Sequence, residues 1–191
     1  MFQFSKRETP GVIVDIGANI GIFSKMATVL FPEAKIYSYE PHPSAFACLK
    51  KNAEGTGISP FNCGVSNMAG QFFLEANCDS TTGAVSVSGG IPVKCISVSE
   101  LQPETGEIDL LKMDCEGSEW AIFQDSGLLA RTKYLTMEYH LVDGHTLKEL
   151  EQILVNARHR ILHVHPHGGY GGKFGLLWAV REGNLPGPWT F

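Results

Sequence analysis

Gly11-Val12-Ile13-Val14-Asp15-Ile16-Gly17-Ala18-Asn19-Ile20-Gly21 is an apolar, β-branched run that ends in an acid and breaks into glycines. A buried parallel strand that runs out into a ligand-binding turn reads this way. Downstream, Ile20, Phe23, Met26, Ala27 and Leu30 recur at spacings of three and four. That periodicity predicts a helix whose apolar face packs on the sheet while its N-terminus points at the turn. Gly17 lets the backbone turn, and Gly21 leaves room for close approach of the helix or of a ligand.

The turn departs from the dinucleotide fingerprint G-x-G-x-x-G, in which a helix N-terminus holds a pyrophosphate. Asn19 stands at the middle glycine position, and Asp15 precedes the first glycine. A carboxylate there repels a pyrophosphate and suits a ligand bearing an ammonium group, such as the methionine portion of S-adenosylmethionine. The plain alternative is a strand-to-helix turn capped by Asn19.

Working outward, Ala34-Lys35-Ile36-Tyr37-Ser38-Tyr39-Glu40 reads as a second strand ending in an acid. Glu40 lies about 20 residues past the turn, where such folds place a carboxylate for ribose hydroxyls. It could instead cap the helix that follows Pro41-His42-Pro43 and runs through Phe46, Leu49 and Lys50 to about Glu54. Residues 58–65 read as a third strand broken by Gly64, with its far end beside an adenine pocket. Short β-like runs between Gly70 and Val98 predict an antiparallel excursion. Its loop at residues 78–83 either flanks the cofactor or is surface turn chemistry.

Ile108 to Asp114 is the fourth parallel strand, and Cys115-Glu116-Gly117-Ser118-Glu119 is its exit loop. Asp114, Glu116 and Glu119 thus gather outside the carboxyl ends of the strands. A helix through Trp120, Ile122, Phe123 and Leu128 follows. A fifth strand, Tyr134 to His140, delivers Glu138 and His140 at its end. Thr146 with Glu149 forms a capping box for a helix to Ala157. Residues 160–167 and 174–180 form a final hairpin, so the last strand runs antiparallel. His163, His165 and His167 share a face by strand alternation. H-x-H-x-H is also a metal-ligand spacing, but Pro166 disturbs the run, and no metal is expected there.

Size and composition set bounds. A chain of 191 residues is expected to form one domain, with the antiparallel piece at about 70–98 as an insertion. Apolar residues at 43% and charged residues at 18% fit a globular chain, and a net charge of -5 offers no general attraction to nucleic acid or anionic membrane. Cys48, Cys63, Cys78, Cys95 and Cys115 are odd in number and scattered, so they read as reduced, mostly buried thiols in a cytoplasmic protein. No run approaches a membrane span, and the start has no signal-peptide pattern.

Asp15-Ile16-Gly17-Ala18-Asn19-Ile20-Gly21, Glu40-Pro41, Asn62-Cys63-Gly64-Val65-Ser66, Lys112-Met113-Asp114-Cys115-Glu116-Gly117-Ser118-Glu119 and Met137-Glu138-Tyr139-His140 together resemble the FkbM-type family of S-adenosylmethionine-dependent methyltransferases. The block from Lys112 is the most specific, similar to the family's K-x-D-x-E-G-x-E, and the resemblance spans roughly residues 12–180. It implies an α/β, doubly wound, Rossmann-like fold with a seven-stranded mixed sheet in the order 3-2-1-4-5-7-6, strand 7 antiparallel, and transfer to oxygen in most members. The cofactor-binding set is then Asp15, Gly17, Asn19, Gly21, Glu40, Pro41, Cys63, Gly64 and Asp114. The chain departs from the family in its short run before the first strand. Two expectations follow: an open cleft for a bulky acceptor, or closure by a second subunit of a homodimer.

For the chemistry, Asp114, Glu116, Glu138 and His140 are the candidates, with His140 as proton acceptor because its ordinary pKa suits neutrality. The acids with His140 would alternatively hold Mg²⁺ or a similar ion that activates the acceptor, while helix capping near Gly117 and Ser118 is the plain alternative for the carboxylates, Glu119 among them. The leading function is O-methylation of a small-molecule, sugar or lipid-linked acceptor. The competing classes are a non-catalytic S-adenosylmethionine-binding scaffold and an NAD-dependent oxidoreductase, the latter opposed by Asp15 and the missing glycine.

Overall fold

The computed structural model describes residues 9–74, 85–86, 90–103, 106–168 and 172–184. The elements in chain order are β1 (Val12–Ile16), α1 (Ile22–Leu30), β2 (Lys35–Tyr39), α2 (Pro43–Ala53), β3 (Ile58–Phe61), β4 (Gly64–Ser66), β5 (Gly70–Leu74), β6 (Val85–Ser86), β7 (Ile91–Ser97), β8 (Ile108–Met113), α3 (Glu119–Ile122), α4 (Ser126–Ala130), β9 (Thr132–His140), α5 (Leu147–Asn156), β10 (His159–Pro166) and β11 (Phe174–Arg181). Seven strands form one sheet in the order β10-β11-β9-β8-β1-β2-β3. β1 pairs parallel with β2 and β8, β2 with β3, and β8 with β9; β11 runs antiparallel to both β9 and β10. This is the expected α/β order, with β11 in the place of the reversed strand.

The central strands β1 and β8 are apolar because both faces are covered. One face packs Val14, Leu111, Leu135, Met137 and Leu177 against Ile122 of α3, Leu128 of α4 and Leu150 and Leu154 of α5. The other packs Ile13, Ile36 and Leu110 against Ala27 of α1 and Ala53 of α2. A second, four-stranded sheet in the order β4-β7-β5-β6 lies beside the first in sequence. The expected loop at residues 78–83 lies outside the described residues.

Three expectations are corrected. α1 does not bury the stripe that its periodicity marks: Ser24 and Ala27 are buried, Phe23 packs against the core, and Ile20, Met26 and Leu30 are exposed. The reason is electrostatic. Asp15 is wholly buried and requires a hydroxyl partner, which Ser24 supplies, so the helix turns Ser24 inward and swings Met26 and Val29 out to solvent. Met26→Lys should therefore change stability by no more than about 0.5 kcal/mol, whereas Ala27→Leu should cost about 1–3 kcal/mol by overpacking. Denaturant midpoints of the two variants check this phase of the helix.

The run at residues 58–65 is not one strand. β3 ends at Phe61 in the main sheet, and β4 begins at Gly64 in the other, paired parallel with β7. A Cβ on Gly64 would stand 2.7 Å from Cys95 Sγ, so a larger residue there would force Cys95 to move. The single helix expected after Glu119 is two, because Asp125 accepts from the Gly127 N–H and starts α4. Among the described cysteines, Cys63 and Cys95 are buried, Cys115 is half-buried and Cys48 is exposed, none in a disulfide.

Candidate functional site

β1 leads to β2 on one side and lies beside β8 on the other, so the crevice beyond its carboxyl end is where the chain reverses direction across the sheet. Gly17 (φ 76°), Asn19 (φ 50°) and Gly21 (φ 87°) all adopt left-handed backbone there. Gly17 and Ala18 N–H both donate to Tyr39 O at 3.0 Å, which ties the turn to the end of β2. The turn also lies hard against the end of β8: a Cβ on Gly17 would fall 1.7 Å from Asp114 O.

Asp15 and Lys112 are side by side in the parallel register of β1 and β8. Lys112 Nζ sits 3.1 Å from Asp15 Oδ1 and donates to Gly17 O at 2.6 Å. Ser24 donates to Asp15 Oδ2 at 2.6 Å, with Ser38 2.7 Å from Ser24. The sequence reading expects a ligand's ammonium beside Asp15. The ammonium beside Asp15 is that of Lys112, and the residue braces the turn from beneath. Burial opposes the Lys112 charge, but Asp15 and Asp114 outweigh it and raise its pKa.

Glu40 is buried at the end of β2 and accepts from the Asn19 N–H and the His42 N–H, each at 2.7 Å. It fixes the glycine turn and holds the His42 N–H at the entry of α2, the capping role that the sequence offered as the alternative. Burial raises its pKa despite those two donors. Asn62 donates to Glu40 O and Pro41 O at 3.0 and 3.2 Å, holding the end of β3 against the same corner as Pro41, Cys63 and Gly64.

At the ends of β8 and β9 the acids and the histidine converge. Asp114, Glu116 and His140 each bring one side-chain atom within 4.8 Å of the others. His140 Nε2 is 3.3 Å from Glu116 Oε2 and 3.8 Å from Glu138 Oε1. Its Nδ1 is 3.0 Å from Glu119 Oε1. Glu119 is 1% exposed, and its Oε1 also accepts from the Cys115 N–H at 3.3 Å. Sequence reading placed Glu119 among the acids and weighed it as a helix cap, but missed that it backs His140. The clue available was its place one helical turn beyond Cys115 in the exit loop.

The electrostatics follow from this packing. Burial, then the charges of Asp114, Glu138 and Glu119, push the Glu116 carboxyl up to about 7 against the opposing pull of His140. Glu138 is raised, chiefly by burial and Asp114. For His140, burial disfavours the cation, but the Glu119 hydrogen bond and the charges of Glu119, Glu116 and Glu138 prevail and raise its pKa. A turn able to cradle a ligand thus adjoins a carboxyl poised to exchange a proton near neutrality. The same Asp114, Glu116 and His140 atoms are the group suited to a divalent ion, although an imidazole in the set fits a transition metal better than Mg²⁺.

Comparison with known proteins bears on the reading. The family description Methyltransferase FkbM domain matches residues 15–161. The methyltransferase sdnD of Sordaria araneosa is 40% identical over 154 residues, with 59% of this chain and 59% of that protein covered. The 31-O-demethyl-FK506 methyltransferase FkbM of Streptomyces tacrolimicus is 28% identical over 176 residues, with 71% of this chain and 68% of that protein covered. The chain therefore spans about six tenths of the first relative's length. Among solved structures, magnesium protoporphyrin IX methyltransferase (ChlM) from Synechocystis PCC 6803 with bound SAM has a TM-score of 0.57 at 14% identity, covering 92% of this chain and 72% of that one. The fibrillarin pre-rRNA processing protein of Methanococcus jannaschii has a TM-score of 0.58 at 13% identity, covering 95% and 70%. At such identities the structural likeness is one of fold. No helix among the described residues is long and apolar enough to cross a membrane.

Proposed function

The chain belongs to the FkbM methyltransferase family, and from that premise we propose that it moves the methyl group of S-adenosylmethionine to a hydroxyl oxygen of a small-molecule, sugar or lipid-linked acceptor. The observation that carries this reading is the contact of Gly17 with Asp114: the donor turn and the acid cluster meet at one point in the crevice. Support for oxygen as the acceptor comes from the name of the Streptomyces tacrolimicus relative.

The donor, once bound, supplies a methyl group on a positive sulfur; the chain has to orient it and remove a hydroxyl proton. Glu40 uses one lone pair on each oxygen for backbone N–H groups, which leaves acceptor capacity for ribose hydroxyls. Pro41, Cys63 and Gly64 border the same corner on the adenine side. Asp114 orients the acceptor. The proton acceptor in this reading is Glu116, since His140 is flanked by carboxylates on both ring nitrogens and held toward its cation. Glu119 positions His140, and the cation in turn keeps Glu116 ionisable. As the oxygen–methyl bond forms and the sulfur–methyl bond breaks, the hydroxyl proton passes to Glu116 and later to solvent.

Glu40→Ala should weaken S-adenosylmethionine binding by about tenfold to somewhat over a hundredfold, from lost bonds to a charged group worth roughly 1.5–3 kcal/mol each. Calorimetry that finds wild-type affinity in this variant would remove Glu40 from the ribose. Titration with S-adenosylmethionine, S-adenosylhomocysteine and NAD in parallel separates the methyl-donor reading from an oxidoreductase. Transfer of label from donor to acceptor separates an enzyme from a scaffold. A second reading makes Asp114, Glu116 and His140 ligands of a divalent ion, favoured by their mutual distances within 4.8 Å. Transfer abolished by a chelator and restored by Mg²⁺ or Mn²⁺ would select it.

A further inference from the structure

We propose that Trp120 is a positioning residue of the acid cluster: its indole N–H, by holding the main chain of His140, keeps the imidazole seated between Glu119 and Glu116. The inference deepens the methyl-transfer reading and rests on it. α3 begins directly after the exit loop of β8, and its first two residues reach the same residue at the end of β9. Glu119 Oε1 is 3.0 Å from His140 Nδ1. A carboxylate only accepts, so Nδ1 carries the proton of that contact. Trp120 Nε1 donates to His140 O at 2.7 Å. Neighbours on one short helix thus hold one residue by its ring and by its backbone.

Trp120 has a plainer role to set against this one. It is half-buried and packs against the larger core, and an indole so placed finds an acceptor for its N–H in most folds. Its ring also stacks on His145, with centres 3.9 Å apart and planes 7° from parallel. His145 directly precedes Thr146, the N-cap of α5. In the plainer role the indole supports the turn that leaves β9, and its bond to His140 does no more than satisfy the N–H.

Two observations favour positioning. The first is which peptide the indole holds. His140 is the last residue of β9, and the peptide that joins it to Leu141 is tied on both sides. Trp120 takes its C=O, and Lys173 O takes its N–H at 2.6 Å. That peptide sets the direction of the Cα from which the imidazole projects. The second is the geometry of the ring. The Glu119 contact alone leaves the imidazole free to pivot about Nδ1, and a backbone fixed at His140 O removes the pivot. The tolerance is small. Supporting geometry at a reacting centre has to hold within about 0.5 Å and 10–20°. His140 Nε2 is 3.3 Å from Glu116 Oε2, so a drift of about 0.5 Å carries that contact out of hydrogen-bond range.

The test reads the imidazole directly, by proton and nitrogen magnetic resonance of the full chain at a single pH. Wild type is compared with Trp120→Phe, which keeps an aromatic ring beside His145 and removes the N–H, and with His145→Ala, which removes the stack and keeps the N–H. The His140 Nδ1–H is identified as the far-downfield signal that His140→Ala lacks. The expected result is that this proton and the Trp120 indole proton are both protected from exchange in wild type. Trp120→Phe should lose the His140 signal or exchange it about tenfold faster or more, while His145→Ala keeps it and both variants bind S-adenosylhomocysteine as wild type does. A His140 signal unchanged in Trp120→Phe overturns the proposal. So does an indole proton that exchanges freely in wild type, a result that needs no variant to fold. Equal loss of the signal in His145→Ala assigns the hold to packing of the turn, and weakened S-adenosylhomocysteine binding by Trp120→Phe makes the residue a general support of the fold; either one overturns the role of the N–H. Wild type with both protected signals and no S-adenosylhomocysteine binding defeats the methyl-transfer reading itself, and the role in that reaction falls with it.

Discussion

Glu116→Gln lowers turnover by about 10²–10⁴-fold, the range for loss of general-base assistance, while S-adenosylmethionine affinity stays at its wild-type value. The substitution keeps the size of the side chain and removes its ability to take a proton, so a loss confined to turnover assigns it the role of base. The pH profile gives the sharper signature. With the carboxyl pushed up to about 7, the ionised base accumulates as pH rises through that value, so wild-type turnover has an acidic limb near 7. Glu116→Gln loses the limb. His140→Ala lowers turnover too, but it moves the limb to higher pH, because the His140 cation is what pulls the Glu116 pKa down. A limb that survives in Glu116→Gln and disappears in His140→Ala would return the proton-accepting role to the histidine.

Lys112→Met should destabilise the fold by about 3–5 kcal/mol, the usual consequence of leaving a buried charge without its partner. Asp15 has no access to solvent, and the Lys112 ammonium at 3.1 Å is the positive charge beside it. The sign of the pH dependence follows from the raised Lys112 pKa. The pair's contribution is fully present below the unfolded-state value of about 10.4 and fades as pH climbs through the higher folded value. Chemical denaturation of Lys112→Met, Asp15→Asn and the double variant measures the coupling. A double variant clearly more stable than Lys112→Met alone confirms the pair, whereas three additive losses would deny it. The Ser24 bond to Asp15 persists in Lys112→Met, so the loss reports the Lys112 contacts with Asp15 and Gly17 O and not the packing of α1, and the double variant isolates the ion pair.

Much of this architecture was legible because parallel strands and glycine turns write themselves locally. Val12 to Gly21 carried the strand, the turn and the helix start, and the hairpin of β10 and β11 was marked by its connecting loop. What sequence reading missed was set by partners far along the chain. The inward face of α1 depends on Asp15 needing Ser24, and Asp15 itself has Lys112 beside it, nearly a hundred residues away. The split of β3 from β4 depends on β4 pairing with β7, where Gly64 is in register with Cys95. Asp114, Glu116, Glu138 and His140 were expected together because adjacent parallel strands deliver their exit residues to one place. The proposed change of role between His140 and Glu116 was not legible, since the argument for it comes from the carboxylates packed around the imidazole. Glu119 shows the same limit: spacing along a helix marks it as a cap, and only the fold shows which ring it touches.

The central claim is that the crevice between the Gly17 turn and Asp114 binds a methyl donor through Glu40 and leaves Glu116 free for chemistry. The most direct test is a calorimetric titration of wild type, Glu40→Ala and Glu116→Gln with S-adenosylhomocysteine. The account predicts saturable one-to-one binding by wild type, equal binding by Glu116→Gln, and binding at least about tenfold weaker by Glu40→Ala. Wild type that binds NAD and not S-adenosylhomocysteine, or Glu40→Ala that binds as tightly as wild type, would contradict it.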